Sequence, residues 1–318
     1  MQANGSAMPD YSNDFQISYN AERTACSIRF RCFDTPNSVT VYGCGCPDAN
    51  VENLLIALRR ECLEYHRLWS FTRPGSDIAR INDASAQRVR VDARTADILH
   101  AMQRFHEVEP SFDFTIGPVS YLWKHATEIP SETQIEQALG HVGASKVRIQ
   151  DDEVIKDDPL VQVDVGGAAK GFVADALANA LRAAGIESAD VDLGGNLYML
   201  GQHPAGRPWR VSVRIPEGVN ANPIVLEVSD QSVVTSGSYE RFVQIDGKRY
   251  QHIIDARTGW PAESDIVSAT VVANSSLQAD LLATTALLEG SNGIAALEAR
   301  HPEAHIIALT TDGVIEND

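Results

Sequence analysis

Apolar residues recur along this chain at two spacings, and each change of spacing marks a new element. From Ala25 to Phe33 and from Ser38 to Val41, β-branched and aromatic residues alternate with polar ones, which predicts two strands. Behind Asp48, a suitable N-cap, the apolar positions Val51, Leu54, Leu55, Leu58, Cys62, Tyr65 and Leu68 repeat at helical spacing. They predict a helix to about Trp69. Ser70 to Asn82 reads as a loop turning at Pro74-Gly75. A second helix is expected from about Ala93 to Val108, stopping near Pro110. An aromatic-rich loop over Ser111 to Trp123 and a short helix from Ser131 to about Gly140 follow.

The segment Val163 to Gly171 reads as a short apolar strand that ends in Asp164, then a Gly-rich turn. Lys170 stands at the head of the next helix, which ends at Gly185. Strands are expected at Asp190–Leu193, Trp209–Ile215, Ile224–Val228 and up to Gly237. Arg241–Ile254 reads as a hairpin turning at Asp246-Gly247. Ile266–Ala273 predicts a strand, and Ser275–Leu288 a helix capped by Ser275 or Ser276. His305–Leu309 and Gly313–Ile315 form a last strand pair. Without strict βαβ alternation, the order implies a mixed α/β (α+β) chain, read as two interleaved halves. Residues 1–14 read as a disordered tail ahead of a single domain over 15–318.

Composition narrows the function classes. The 318 residues carry 44% hydrophobic and 22% charged residues, ordinary for a packed globular chain. A formal net charge of −17 argues against nucleic acid and against an anionic membrane surface as partners. No segment approaches the roughly 18–20 apolar residues that span a bilayer. The polar N-terminus has no basic-then-apolar leader. The five cysteines, Cys26, Cys32, Cys44, Cys46 and Cys62, include no CxxC pair. That usage fits a reducing compartment, so a cytoplasmic location is expected, although an exported chain with a trimmed leader would look the same. Cys44-Gly-Cys46 could be a metal or redox pair. No second cluster of ligand spacing accompanies it, which favours a structural role.

Four stretches carry candidate chemistry. The turn at Gly166-Gly167 presents amide N–H groups and a helix dipole to an anion, with Lys170 as a point charge. Its spacing is neither a P-loop nor G-x-G-x-x-G. Asp280 and Thr284, four apart, share one face of an apolar helix and make a fragment of a hard-oxygen Mg²⁺ site. The plainer reading has Thr284 bonding back to the Asp280 carbonyl. On the hairpin exit, His252 is placed on the same strand face as Ile254 and could act as general acid or base. Asp255 to Gly259 could be a hydrogen-bonded turn. Finally, the loop around Phe112-Asp113-Phe114 could stack a planar ring or be a buried anchor.

Taken in order, these stretches resemble the ApbE family of flavin transferases. The matching residues are Trp69-Ser70 through Ser76–Asn82, Phe112–Pro118, Asp164–Gly171 with Asp175, and Asp192–Asn196. Thr235–Arg241, His252–Gly259 and Ala279–Thr284 complete them. Departures from the family pattern are Ala256 and Phe114 in place of Pro, Ser238 in place of Asp or Asn, and Thr72 in place of a Tyr that touches the flavin. The resemblance implies an ApbE-like α/β fold with the flavin site in the cleft between its halves. It implies cleavage of FAD and attachment of FMN, through a phosphoester bond, to a Thr or Ser of a target flavoprotein, with AMP released. It implies Mg²⁺ held by Asp280, Thr284 and the backbone oxygens of Gly167 and Ala283. FAD contacts would come from Thr72, Ser111, Phe112, Asp113, Asp164, Lys170 and Ile254. His252 and Asp280 are the implied catalytic residues, with His252 favoured as base. The alternatives are a Mg²⁺-dependent FAD pyrophosphatase that yields FMN and AMP, and a non-catalytic FAD-binding protein.

Overall fold

Nine strands lying side by side in chain order organise the molecule. The computed structural model describes residues 11, 14–239 and 242–316. The nine are Phe15–Tyr19, Ala25–Cys32, Thr35–Tyr42, Ser188–Leu193, Asn196–Gly201, Gln231–Gly237, Ile266–Ala273, His305–Thr310 and Gly313–Glu316. Every neighbouring pair is antiparallel. The mixed α/β class expected from the sequence is therefore present, with helices supplied by excursions between sheet neighbours. Most of the expected disordered tail, residues 1–10, 12 and 13, lies outside the described residues. Tyr11 lies within them and is buried, and it donates to Asp34 Oδ1.

The first excursion, between Tyr42 and Ser188, carries α1 (Ala49–Leu68), α2 (Asp77–Ile81), α3 (Ala93–Val108), α4 (Gly117–Lys124), α5 (Glu132–Leu139) and α6 (Ala169–Ala183). It also holds a small sheet in which Glu153–Lys156 lies between Arg88–Arg90 and Val147–Gln150. The excursion between Ala273 and His305 carries α7 (Ser276–Glu289) and α8 (Ile294–Arg300). Helices α1, α6 and α7 pack on the sheet, and α6 touches both of the others. Cys26, Ile28, Phe30 and Cys32 alternate inward from the second strand to meet Leu55, Leu58 and Cys62 of α1 in the main core. On the other face, Met199, Val233 and Val272 are covered by Trp209, Val211 and Val228 of a two-stranded hairpin.

Three local expectations change. The 70–82 loop contains α2, capped by Ser76, whose Oγ accepts from Ala79 N and donates to the Ser70 carbonyl. The 111–123 loop becomes α4, because Pro118 stands in a helix's first turn, where its missing N–H costs nothing. The expected strand at Val163–Val165 joins no sheet. Instead the Asn82 carboxamide bonds both main-chain groups of Val163, at 2.8 and 2.9 Å, and Asp164 N donates to Phe114 O at 2.8 Å. A side chain thus replaces the neighbouring strand.

The first and last excursions are clamped together at Glu109, the C-cap of α3. Its carboxylate is 2% exposed and accepts from Arg300 Nε and Nη2 at 2.6 and 2.7 Å, with His301 Nε2 at 2.9 Å. Burial alone would raise this carboxyl, but the bonds from Arg300 and His301 outweigh it and hold it below its ordinary value. A depressed carboxylate contributes stability above its ordinary range, and that contribution is lost as pH falls through the folded value. We expect Glu109→Gln to lose ~1–3 kcal/mol at neutral pH, since Arg300 is part-solvated but the partner site is buried. Urea unfolding at pH 7 and pH 4 checks this, and the variant should lose less stability than the parent over that fall in pH.

Candidate active site

The site is built where α6 and α7 cross. Gly171, in the first turn of α6, has no room for a side chain: a Cβ there would stand 2.8 Å from both Asp280 Cβ and Leu277 Cα. That closeness lets Asp280 Oδ2 accept from Gly171 N at 2.9 Å. Ala168 caps α6 without a side-chain bond, so Asp280 satisfies a donor that its own helix leaves open. Asp175 of α6 returns the favour to α7. It accepts from Ser276 N at 2.7 Å, Leu277 N at 3.0 Å and Ser275 Oγ at 2.7 Å. Each helix N-terminus is thus capped by a carboxylate of the other.

Asp280 is 4% exposed. Burial pushes its carboxyl up, opposed by Lys170, the Gly171 N–H and Asn196. Lys170 Nζ donates to Asn196 Oδ1 at 2.8 Å, leaving the buried Asn196 Nδ2 without a bond of normal geometry. The turn Asp192–Asn196, in which Asp192 Oδ1 accepts from Gly195 N at 2.8 Å, delivers Asn196 to this spot. Thr284 sits one turn after Asp280, and its hydroxyl takes no hydrogen bond among the described residues. The back-bond considered for Thr284 belongs to Thr285, which donates to Leu281 O at 2.8 Å. Ala283, between the two candidate ligands, is fully buried.

Gly167 faces this helix. A Cβ built there would lie 3.7 Å from Thr284 Oγ1 and 3.2 Å from Phe112 Cε2. The N–H groups of Gly167 and Lys170 take no bond among the described residues, so the turn has open donors. Phe112 is buried and meets Phe105 edge-on, and Phe105 stacks on His301, the residue bonded to Glu109. Beside it, the Ser111 hydroxyl is buried with no hydrogen-bond partner among the described residues. Asp113 Oδ1 accepts from the Thr115 amide and hydroxyl at 2.8 and 2.6 Å. Asp164 accepts from Gly166 N at 2.8 Å and from Ser120 Oγ of α4 at 3.1 Å.

The remaining candidates stand differently. Thr72 is exposed and takes no hydrogen bond among the described residues, while its neighbour Phe71 stacks on the part-exposed Tyr121 at 5.6 Å. The hairpin strand ends at Gln251, so His252 and Ile254 do not share a face. His252 is exposed, whereas Ile254 is buried with Val119, Trp123 and Tyr250. Asp255–Gly259 is a hydrogen-bonded turn, with Gly259 N donating to Asp255 O at 2.8 Å. Glu240 and Arg241 of the quoted Thr235–Arg241 stretch lie outside the described residues.

Residues that oxygen chemistry would need are therefore grouped: one buried carboxylate, one unbonded hydroxyl, a glycine carbonyl and a lysine. Among the described residues, no group of three or more His, Cys, Asp or Glu side chains could hold a metal. The donor set is instead the sparse, hard-oxygen kind that suits Mg²⁺ sharing its sphere with phosphate and water. Sequence reasoning missed Gly171, Asp175 and Asn196 as parts of this site. All three lie in the quoted stretches, but their roles depend on contacts between distant segments.

Comparison with known proteins gives this geometry a context. Residues 33–308 match the model of the ApbE family. The FAD:protein FMN transferase of Vibrio cholerae is 31% identical over 278 residues, which cover 84% of this chain and 83% of that protein. That of Treponema pallidum is 34% identical over 264 residues, covering 76% and 73%. Among solved structures, the flavin transferase ApbE from Vibrio cholerae superposes with a TM-score of 0.80 at 26% identity, covering 92% of this chain and 97% of that one. The ApbE protein from Thermotoga maritima superposes at 0.81 and 28% identity, covering 95% and 97%.

Two substitutions test the crossing. Gly171→Ala should lower stability by ~1–3 kcal/mol through overpacking and displace Asp280. Asp175→Asn should cost ~1–2 kcal/mol by weakening the α7 cap. Thermal unfolding reads both, and a melting temperature unchanged in either would remove the crossing as the element that fixes Asp280. The match over 33–308 and the identities above place this chain in the ApbE family.

Proposed function

We propose that this protein is a Mg²⁺-dependent FAD:protein FMN transferase. It cleaves the diphosphate of FAD, attaches FMN through a phosphoester bond to a Thr or Ser of a target flavoprotein and releases AMP. The observation that carries the reading is the crossing of α6 and α7, which sets the open amides of Gly167 and Lys170 against Asp280 and Thr284. The names of its relatives support the same activity.

Asp280, Thr284 and the carbonyls of Gly167 and Ala283 would hold the ion. Bound there, Mg²⁺ supplies charge neutralisation for the diphosphate. The Gly167 and Lys170 amides and the Lys170 ammonium bind the phosphate oxygens as fixed donors. Burial of Asp280 limits water around them. Phe112 lies beside Gly167, Ser111 and Asp113 would add contacts to FAD from the same loop, and Asp164 fixes the turn by accepting from Gly166 N. Phe71, stacked on Tyr121, offers the aromatic surface that Thr72 lacks. His252, exposed at the hairpin exit, takes the proton from the incoming hydroxyl. Ile254 anchors that exit in the core.

Incubation of the purified protein with FAD and Mg²⁺, with and without a target flavoprotein, tests the proposal. Covalent FMN on the target with stoichiometric AMP is expected. AMP formed equally without a target would replace transfer by hydrolysis, and tight FAD binding without AMP would leave a binder. Asp280→Ala should abolish AMP release, and full turnover in that variant would remove Asp280 from the metal site. Lys170→Ala should weaken FAD binding ~10- to 100-fold, the worth of one charge-assisted bond, as read by fluorescence titration.

A further inference from the structure

The thiols of Cys44 and Cys46 belong to none of this machinery. They lie in the loop between the strand Thr35–Tyr42 and α1, with their Sγ atoms 3.0 Å apart and both cysteines reduced. That is closer than two sulfurs in ordinary contact. Gly43 and Gly45 flank Cys44, and a Cβ at either would meet nothing within 4 Å, so the loop has space to twist. Its ends are tied down: Gly43 N donates to Thr24 O and Cys46 N to Arg23 O, each at 2.9 Å. Cys44 is half-buried and within reach of a small reagent, whereas Cys46 is buried. The other three thiols are in a different position. Cys26, Cys32 and Cys62 are wholly buried in the main core.

We propose that Cys44 and Cys46 are a reversible dithiol–disulfide pair, closed by exchange with a small uncharged disulfide. Ionised Cys44 attacks one sulfur of the reagent RS–SR and forms Cys44–SR, and the RS⁻ that leaves takes up a proton. Cys46 then gives up its proton and attacks Cys44 Sγ, so that a second RS⁻ leaves and is protonated. Two protein thiols are oxidised, and one disulfide is reduced to two thiols. The order of attack follows from the surroundings. Burial, and then the hydrogen bond and charge of Cys44, push the Cys46 thiol up to about 12, so Cys46 is a poor first nucleophile. Capping Cys44 removes the Cys44 contribution at the moment when Cys46 must ionise. Burial, and then the charges of Cys44, Glu52 and Asp48, raise the adjoining Cys26 thiol; the two carboxylates so close by disfavour an anionic oxidant and favour a neutral one.

The test uses the full chain and hydroxyethyl disulfide, followed by alkylation, intact mass and peptide mapping. The expected product has lost two hydrogens, located within the peptide that holds Cys44 and Cys46, and dithiothreitol restores it. Cys26, Cys32 and Cys62 should stay alkylatable after unfolding. Cys46→Ser should stop at a mixed disulfide on Cys44, and Cys44→Ser should give neither product. A mixed disulfide that persists on Cys44 of the unsubstituted chain would overturn the proposal. So would a bridge from Cys46 to Cys26, or no reaction in the folded chain when the unfolded chain reacts.

Discussion

The reciprocal capping of α6 and α7 is the interaction on which the rest of this structure depends. A helix leaves its first N–H groups unsatisfied, and a buried helix start needs partners for them. Here each helix finds that partner in a carboxylate of the other, Asp280 for α6 and Asp175 for α7. The arrangement demands close approach, and Gly171 is the residue that permits it. It also has a cost, since burial raises both carboxyls. The bonds from helix amides offset that cost, and for Asp280 so does Lys170. The outcome is a fixed relation between the turn Asp164–Lys170 and the face Asp280–Thr284.

The sheet explains how segments so distant in sequence meet with so little play. Its strands follow one another in chain order, so every long excursion starts and ends beside its own neighbours. α6 packs against the two central strands that follow it, Ser188–Leu193 and Asn196–Gly201, and α7 against the next two in the sheet, Gln231–Gly237 and Ile266–Ala273. Their crossing is then set by sheet spacing rather than by a loop. The aromatic wall is braced separately. Glu109 holds Arg300 and His301, His301 stacks on Phe105, and Phe105 holds Phe112 edge-on beside Gly167. One buried carboxylate thereby ties the Phe112 loop to the far end of the chain.

What was legible in the sequence was whatever local rules decide. α1 starts behind Asp48, α5 behind the Ser131–Gln134 capping box and α7 behind Ser275, because cap and periodicity agree at each. The strand Asn196–Gly201 gave no alternating signal, since it is covered on both faces and its interior, Leu197–Leu200, is an unbroken apolar run. Val163–Val165 alternates like a strand, yet its partner is the side chain of Asn82, which no pattern within the segment announces. The same limit applied to the site. Asp280 and Thr284 four apart favour a plain back-bonded helix over a metal face. The structure gives the back-bond to Thr285 instead, and it brings Gly171 and Gly167, more than a hundred residues earlier in the chain, against this face.

The charge balance follows from the same geometry. A chain with a net charge of −17 repels an anion in general, so any anionic ligand must be received by a local field of opposite sign. At the crossing that field has identifiable sources. The amides of Gly167 and Lys170, unbonded among the described residues, and the dipole of α6 contribute positive potential there, and Lys170 donates to Asn196 and, among the described residues, is in no direct salt bridge. Asp280 gives Oδ2 to the Gly171 amide, and its carboxylate also feels Lys170 and Asn196. A site made of one carboxylate, one lysine and neutral donors carries little net charge of its own. Binding a divalent ion and a diphosphate together therefore keeps it near neutrality, while either alone leaves a buried imbalance. Under the proposed function, the two ligands should accordingly assist each other's binding.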